Sequence, residues 1–312
     1  MATVQAMLMP LPASCLPRPR PLQRGDQVQL VAASSALNDD ARLQAGVALL
    51  RQWGLTVPDP EPWLQRRWGY LAGADDQRRA DLELGCARLQ ACVRGGWGAA
   101  RLLEQPLPAG SDWLLGFSDV TSLLWARLAA GRSGAVHGPL LTTLAAEPAW
   151  SRERLRALLF GEPVPPLAGQ SWRDGVAEGP LLVANLTVAT HLLGTAHLPP
   201  LQGAILVLED VGEAPYRLER LLTHWRLCGA LQSLAGLAFG GFTDCDEVDS
   251  RAEEPPAHRF SVEQVLRERS ADLGIPVLAG LPVGHGCGNA ALPLGVRARL
   301  NADAGQLELL EG

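Results

Sequence analysis

Ser118, in the segment Gly116-Phe117-Ser118-Asp119, stands where a hydroxyl could act as a nucleophile. It follows the apolar run 113–117 and precedes a run at helical spacing over 120–130, so it falls at a strand-to-helix turn. At such a turn Gly116 relieves crowding, the hydroxyl is accessible, and the helix N-terminus supports negative charge. The same spacing fits a serine that only caps the helix, which by spacing alone is the commoner role. A serine nucleophile needs a base that titrates near neutrality, and the chain offers six histidines: His137, His191, His197, His224, His258 and His285. His285 follows an apolar run in Gly284-His285-Gly286-Cys287-Gly288, where glycines permit close approach of another segment. His137 precedes Gly138-Pro139 at a strand end and is the second choice; His191 and His224 fall inside helical patterns and His258 in a polar loop. The base in turn needs a carboxylate to set its tautomer. Glu209 closes the apolar run 204–208, with Asp210 and Glu213 as competitors, Asp210 also reading as a cap for the helix that follows and Glu213 as a structural hydrogen-bond partner.

An oxyanion would need two donors, for which the backbone amides of Asp119 and Gly96 are the candidates. Gly95-Gly96-Trp97-Gly98 could alternatively cradle phosphate, but it lacks both the GxGxxG spacing and a lysine. All 27 basic residues are in fact arginine, which excludes Schiff-base, Ser-Lys and P-loop chemistry. The six cysteines, Cys15, Cys86, Cys92, Cys228, Cys245 and Cys287, form no CxxC pair, so neither a zinc ribbon nor a disulfide framework is expected, and no metal or cofactor is implied. Cys287, two residues from His285, leaves a cysteine amidase-like enzyme as a rival. A ligand-binding protein without catalysis is a second rival, should Ser118, Glu209 and His285 fail to converge.

The elements that must position these residues alternate. Runs at 27–33, 55–57, 91–94, 113–117 and 135–136 read as strands, and stretches at 39–53, 75–89, 120–130 and 151–160 read as helices, a pattern that implies a parallel, doubly wound sheet. A Pro-rich segment, 1–24, precedes this α/β domain at 25–162; residues 163–178, rich in Pro and Gly, read as a linker. A smaller mixed α/β domain follows at 179–312, with helices at 186–193 and 216–228, a strand at 204–208, and a closing hairpin at 297–301 and 306–310. The acidic segment 244–259 reads as a surface loop or cleft lid. With 312 residues and 47% hydrophobic content, two domains are expected. A net charge of −6 speaks against a nucleic-acid partner, and no run reaches the roughly 18 apolar residues of a membrane span. The start of the chain, interrupted by Pro10, Pro12, Pro17 and Pro19, does not read as a signal peptide; Pro12-Ala13-Ser14-Cys15 only faintly matches a lipoprotein box. A cytoplasmic protein with reduced thiols is expected.

Over residues 25–300 several blocks, in order, resemble the LD-carboxypeptidases, a serine peptidase family that includes the microcin-immunity peptidases. Gly25-Asp26 with VQLVAASS is similar to the family's first strand, and the block from Tyr70 to Arg78 to its early loop and helix. Arg94-Gly95-Gly96-Trp97-Gly98 resembles its RGGYG, with Trp97 in place of the usual tyrosine, Gly116-Phe117-Ser118-Asp119 its GYSD, and His137-Gly138-Pro139 its HGP. The block from Leu208 to Arg217 is similar to its LEDVGEPPYR, and Gly284-His285 with Pro293-Leu294-Gly295 to its GH and PLG. One departure is Val183-Ala184-Asn185, where the family often shows Gly-Gly-Asn. The resemblance implies a triad of Ser118, Glu209 and His285, a metal-free acyl-enzyme mechanism, and hydrolysis of an L,D-peptide bond. It further implies a homodimer that releases terminal D-alanine from murein tetrapeptides in wall recycling, or, in the microcin-immunity branch, cleaves peptide-nucleotide antibiotics. A substrate with a free C-terminal carboxylate calls for an arginine, and Arg94 and Arg217 both lie in matched blocks.

Overall fold

The computed structural model describes residues 14–83, 86–108, 110, 112–246 and 260–310. Expectations that rest on residues 1–13 or 247–259, including His258 and most of the acidic segment, lie outside them.

The first half of the chain forms β1 (Val28–Val31), α1 (Asp40–Gln52), α2 (Glu61–Leu64), α3 (Asp75–Ala80), β2 (Leu89–Cys92), β3 (Trp113–Gly116), α4 (Thr121–Ala129), β4 (Ala135–His137), α5 (Leu141–Leu144) and α6 (Ala149–Leu159). The strands lie parallel in the order β1-β2-β3-β4. The chemistry of α1 explains where it begins and which face it buries. Asp39 accepts the Arg42 N–H at 3.2 Å as an N-cap, Asp40 and Arg51 suit the two ends of the helix dipole, and Leu43, Val47 and Leu50 recur on one buried stripe. That stripe joins α5 and α6 on one face of the sheet, while Leu123, Leu124 and Trp125 of α4 pack on the other, so helices cover both faces. A helix over 75–89 does not form. It stops at Ala80, because the Asp81 carboxylate turns inward to accept the Ala32 N–H at 3.0 Å and the Arg66 guanidinium at 2.8 Å, and Leu89 already belongs to β2. Residues 55–57 contribute only a bridge from Thr56 to Gln27.

The second half forms β5 (Leu167–Ala168), β6 (Gln170–Arg173), β7 (Val176–Asn185), α7 (Leu186–Leu192), β8 (Ile205–Val211), α8 (Pro215–Leu227), β9 (Gly236–Thr243), α9 (Val262–Ser270), β10 (Val277–Ala279), β11 (Leu292–Pro293), β12 (Arg297–Asn301) and β13 (Gln306–Leu309). Eight of these strands make one mixed sheet, β5-β13-β12-β7-β8-β9-β10-β6. The stretch expected as a linker is therefore structural: β5 and β6 occupy the two opposite edges of the sheet although only Gly169 separates them in the chain. The sheet must curl until its edges meet, which removes exposed edge groups. Gly169 makes this possible, since its N–H reaches Gly305 O at 2.8 Å and a Cβ there would stand 2.8 Å from Ala279 O. The closing hairpin pairs β12 with β13.

The two halves are not separable by one cut. β11 leaves the second half to pair antiparallel with β4, and one apolar core runs from Leu114, Val120 and Leu123 into Leu182, Ile205 and Leu206. At its centre the buried Trp125 donates its indole N–H to Val183 O at 3.0 Å and meets Trp225 edge-on at 6.3 Å. Trp125→Ala is expected to destabilise the fold by about 3–5 kcal/mol, read as a lower midpoint of urea unfolding.

Candidate active site

Ser118 opens a 3-10 turn, Ser118–Val120, between β3 and α4, with φ +62, the left-handed conformation that residues with a side chain avoid. Held this way it does not cap α4: neither that helix nor the turn has a side-chain cap hydrogen bond. The turn after β2 closes against it. A Cβ on Gly95 would stand 3.1 Å from Ser118 Oγ, and one on Gly96, at φ +106, would collide with the Ser35 hydroxyl. Ser35 Oγ accepts the Trp97 N–H at 3.1 Å, and the fully buried Arg78 donates to Ala33 O and, at 2.8 Å, to Gly98 O. The loops after β1 and β2 are thus fixed to each other beside the serine. Asp119 turns inward, where its carboxylate accepts the Ala99 N–H at 2.8 Å and burial raises its pKa.

On the other side of the cleft, Glu209 lies in the buried part of β8 and is fully inaccessible to solvent. Its Oε2 lies 2.7 Å from His285 Nδ1. Gly284 makes that approach possible, because at φ +115 a Cβ would stand 2.6 Å from the same oxygen. Burial raises the Glu209 pKa against the pull of the imidazole. For His285 burial disfavours the charged ring, but the hydrogen bond and charge of Glu209, with the charge of Asp210, outweigh it and lift the pKa above the ordinary histidine value. Phe117 packs on the His285 ring at 4.7 Å between centroids. Ser118, His285, Phe117, Gly95, Gly96 and Arg94 line one cavity of about 380 Å³, closed by Leu140, Thr142 and Thr143 and bordered by Leu37, Asn38, Asp39 and Arg42.

The competing residues have other roles. Asp210 accepts from Thr187 N–H at 2.9 Å, Thr187 Oγ1 at 2.8 Å and Asn185 Nδ2 at 2.9 Å, so it caps α7 rather than the helix after it. Glu213 pairs with Arg217 at 3.4 Å. His137 is fully buried beneath Phe117, with its pKa pushed down to about 3 by burial and the His285 charge, and it lies outside the cavity lining. His191 and His224 stand exposed on helices. Of the two arginines, Arg94 lines the cavity with its guanidinium tied to Ala36 O, whereas Arg217 is an exposed partner of Glu213 and Tyr216 outside the lining. Trp97 and Cys287 are also exposed and outside it. In Val183-Ala184-Asn185 the asparagine caps α7 and its own N–H donates to Thr121 Oγ1 at 3.2 Å, tying the serine-bearing helix to the second sheet. Sequence reasoning missed Arg42, Asn38, Thr142 and Thr143; their one signal is that they follow β1 and β4, at strand ends where parallel sheets bind ligands. Among the described residues no group of three or more His, Cys, Asp or Glu side chains could hold a metal ion, and no helix is long and apolar enough to cross a membrane.

A serine on a strained strand-to-helix turn, sharing a cavity with a histidine that a buried carboxylate orients, is the arrangement of the serine hydrolases, and the chain belongs to a family of serine peptidases. That family is the LD-carboxypeptidases: residues 28–138 match its N-terminal domain and residues 178–300 its C-terminal domain. A Synechocystis protein that carries a carboxypeptidase name is 48% identical over 303 residues, covering 94% of this chain and 97% of its own. The murein tetrapeptide carboxypeptidase of Pseudomonas aeruginosa is 35% identical over 310 residues, covering 89% of this chain and 94% of its own. Among solved structures, the muramoyltetrapeptide carboxypeptidase of Oxalobacter formigenes superposes with a TM-score of 0.77 at 25% identity, covering 91% of this chain and 97% of that one. The fold is also that of MccF in complex with glutamyl sulfamoyl guanosine, with a TM-score of 0.79 at 19% identity over 94% and 98% of the two chains.

With His285 as the expected base, which must be neutral to accept a proton, and with its pKa raised, kcat/KM is expected to fall as the pH drops through a value above the ordinary 6.5. In Glu209→Gln the acid limb should move to lower pH, as measured by pH-rate profiles of the two proteins; an unmoved limb would show that Glu209 does not set the base. Gly284→Ala should cut kcat at least 100-fold while circular dichroism stays native, since its methyl group would displace the carboxylate.

Proposed function

We propose that the protein is a serine LD-carboxypeptidase that releases terminal D-alanine from murein tetrapeptides, in cytoplasmic recycling of wall peptides. The observation that carries this reading is that Ser118 and the Glu209-oriented His285 open onto one cavity, with an arginine in its wall. In this mechanism Ser118 Oγ attacks the carbonyl of the L,D bond as His285 takes its proton. Glu209 holds the imidazole with its proton on Nδ1 and stabilises the imidazolium that forms. The oxyanion is received by the backbone N–H groups of Gly96 and Asp119. His285 then protonates the leaving amine of D-alanine, and water, activated by the same imidazole, attacks the acyl-enzyme and frees the shortened peptide. Arg94, at the entrance of the glycine turn, is the arginine for the substrate's free carboxylate; Arg42 adds a second cation at the rim.

A murein tetrapeptide is favoured over a peptide-nucleotide conjugate because a relative named for the former is 35% identical along nearly its whole length, against 19% for MccF. D-Alanine release from a purified tetrapeptide tests the reading. Wild type should turn over, Ser118→Ala should lose at least about 10⁴-fold in kcat, and Arg94→Met should raise KM about 10-fold or more. Wild-type protein that releases no D-alanine would overturn the murein assignment.

A further inference from the structure

The loop that carries His285 is held from beneath by residues of the other half of the chain. Asn289, fully buried, donates its N–H to Glu147 Oε2 at 2.9 Å, and its side-chain Oδ1 accepts the Gly284 N–H at 3.0 Å. Ser151, also fully buried, lies within hydrogen-bond reach of Glu147 Oε2 at 3.0 Å and Asn289 O at 2.8 Å, so its single proton serves that corner. Glu147 stands just before α6, and Ser151 is in its first turn. A Cβ on Gly288, at φ +93, would overlap the indole of Trp150, so the loop lies flat against the start of that helix. Arg154 Nε donates to Ala291 O at 3.1 Å, where the loop runs on toward β11.

These contacts reach His285 through backbone alone. Gly284 is adjacent to it and has no side chain of its own to hold position, and it must stay in the left-handed region for Glu209 to fit. Asn289 bonds the N–H of this same glycine. We propose that Glu147, Ser151 and Asn289 form a cross-domain latch that positions His285 for proton transfer, with Glu147 as its central positioning residue. The latch joins the half that bears Ser118 to the loop that bears the base, just before β11 crosses back to β4, and so sets the distance between them. The proposal rests on His285 being the base, as read above.

The test compares Glu147→Ala, Glu147→Gln and Ser151→Ala with wild type. Glu147→Ala should lower kcat about 10- to 100-fold, the range for losing a group that orients a reacting residue, with KM within about twofold. Glu147→Gln keeps an oxygen for the Asn289 N–H and should restore kcat to within about threefold of wild type. The far-downfield proton resonance of His285 Nδ1–H should be present in wild type and in Glu147→Gln and broadened or shifted in Glu147→Ala. If Glu147→Ala fails to fold, Ser151→Ala decides, with an expected loss of about 3-fold or more in kcat at unchanged KM. Wild-type kcat and an unaltered resonance in a folded Glu147→Ala, or in Ser151→Ala when that variant decides, would overturn the latch. Wild type that gives the resonance but releases no D-alanine would instead count against the substrate assignment, leaving the latch to be judged by the resonance.

Discussion

Glu209 sits without solvent contact against His285, and this buried carboxylate constrains much of what surrounds it. A carboxylate removed from water is strongly disfavoured unless a partner meets it with good geometry. The main partner here is the His285 imidazole, with Asn185 also beside the carboxylate, and the geometry is set by a glycine whose side chain is missing where the oxygen needs space. Asp210, one residue further along the same strand, faces the opposite way and spends its oxygens on the start of α7. Alternation along a β-strand thus gives two neighbouring acids different tasks, one in the site and one in the frame.

The serine depends on a different device. Its backbone takes the left-handed region in the tight passage from β3 into α4, and the glycine turn after β2 leaves too little room for a Cβ beside its hydroxyl. The two devices belong to different sheets, so what matters is how α4 is docked. Its first residue, Thr121, accepts the Asn185 N–H, and four residues on Trp125 bonds the Val183 carbonyl. The helix behind the serine is therefore fastened to the strand beside Glu209, since Asn185 and Glu209 are paired neighbours in β7 and β8. β11 fastens the return path by crossing back to β4.

Local chemistry along the chain was enough to indicate most of the elements near the site. The N-cap Asp39, the apolar stripe of α1, the turn at Gly116-Phe117-Ser118-Asp119 and the closing hairpin all rest on neighbours in sequence, and they form where those neighbours require. Residues 163–178 show the limit of such reasoning. Prolines and glycines there read as a linker, yet β5 and β6 are edge strands, whose pairing partners lie more than a hundred residues away in β13 and β10. The helix expected over 75–89 fails for the same kind of reason, because Asp81 is recruited by Ala32 and Arg66.

By itself the sequence determined the residue types, the glycines that admit positive φ, and, through ordered blocks, the family and the three residues a triad would use. Local spacing alone left Ser118 open between cap and nucleophile, which the ordered blocks turned toward nucleophile, and it left Arg94 and Arg217 equivalent. Only the tertiary structure separates these, since exposure, the direction of a side chain and membership of a cavity depend on contacts between distant segments. Arg94 enters the cavity because the loops after β1 and β2 close together, while Arg217 is left on an exposed helix face. Ser118, at φ +62, is strained and caps neither its turn nor α4, which its own segment does not reveal.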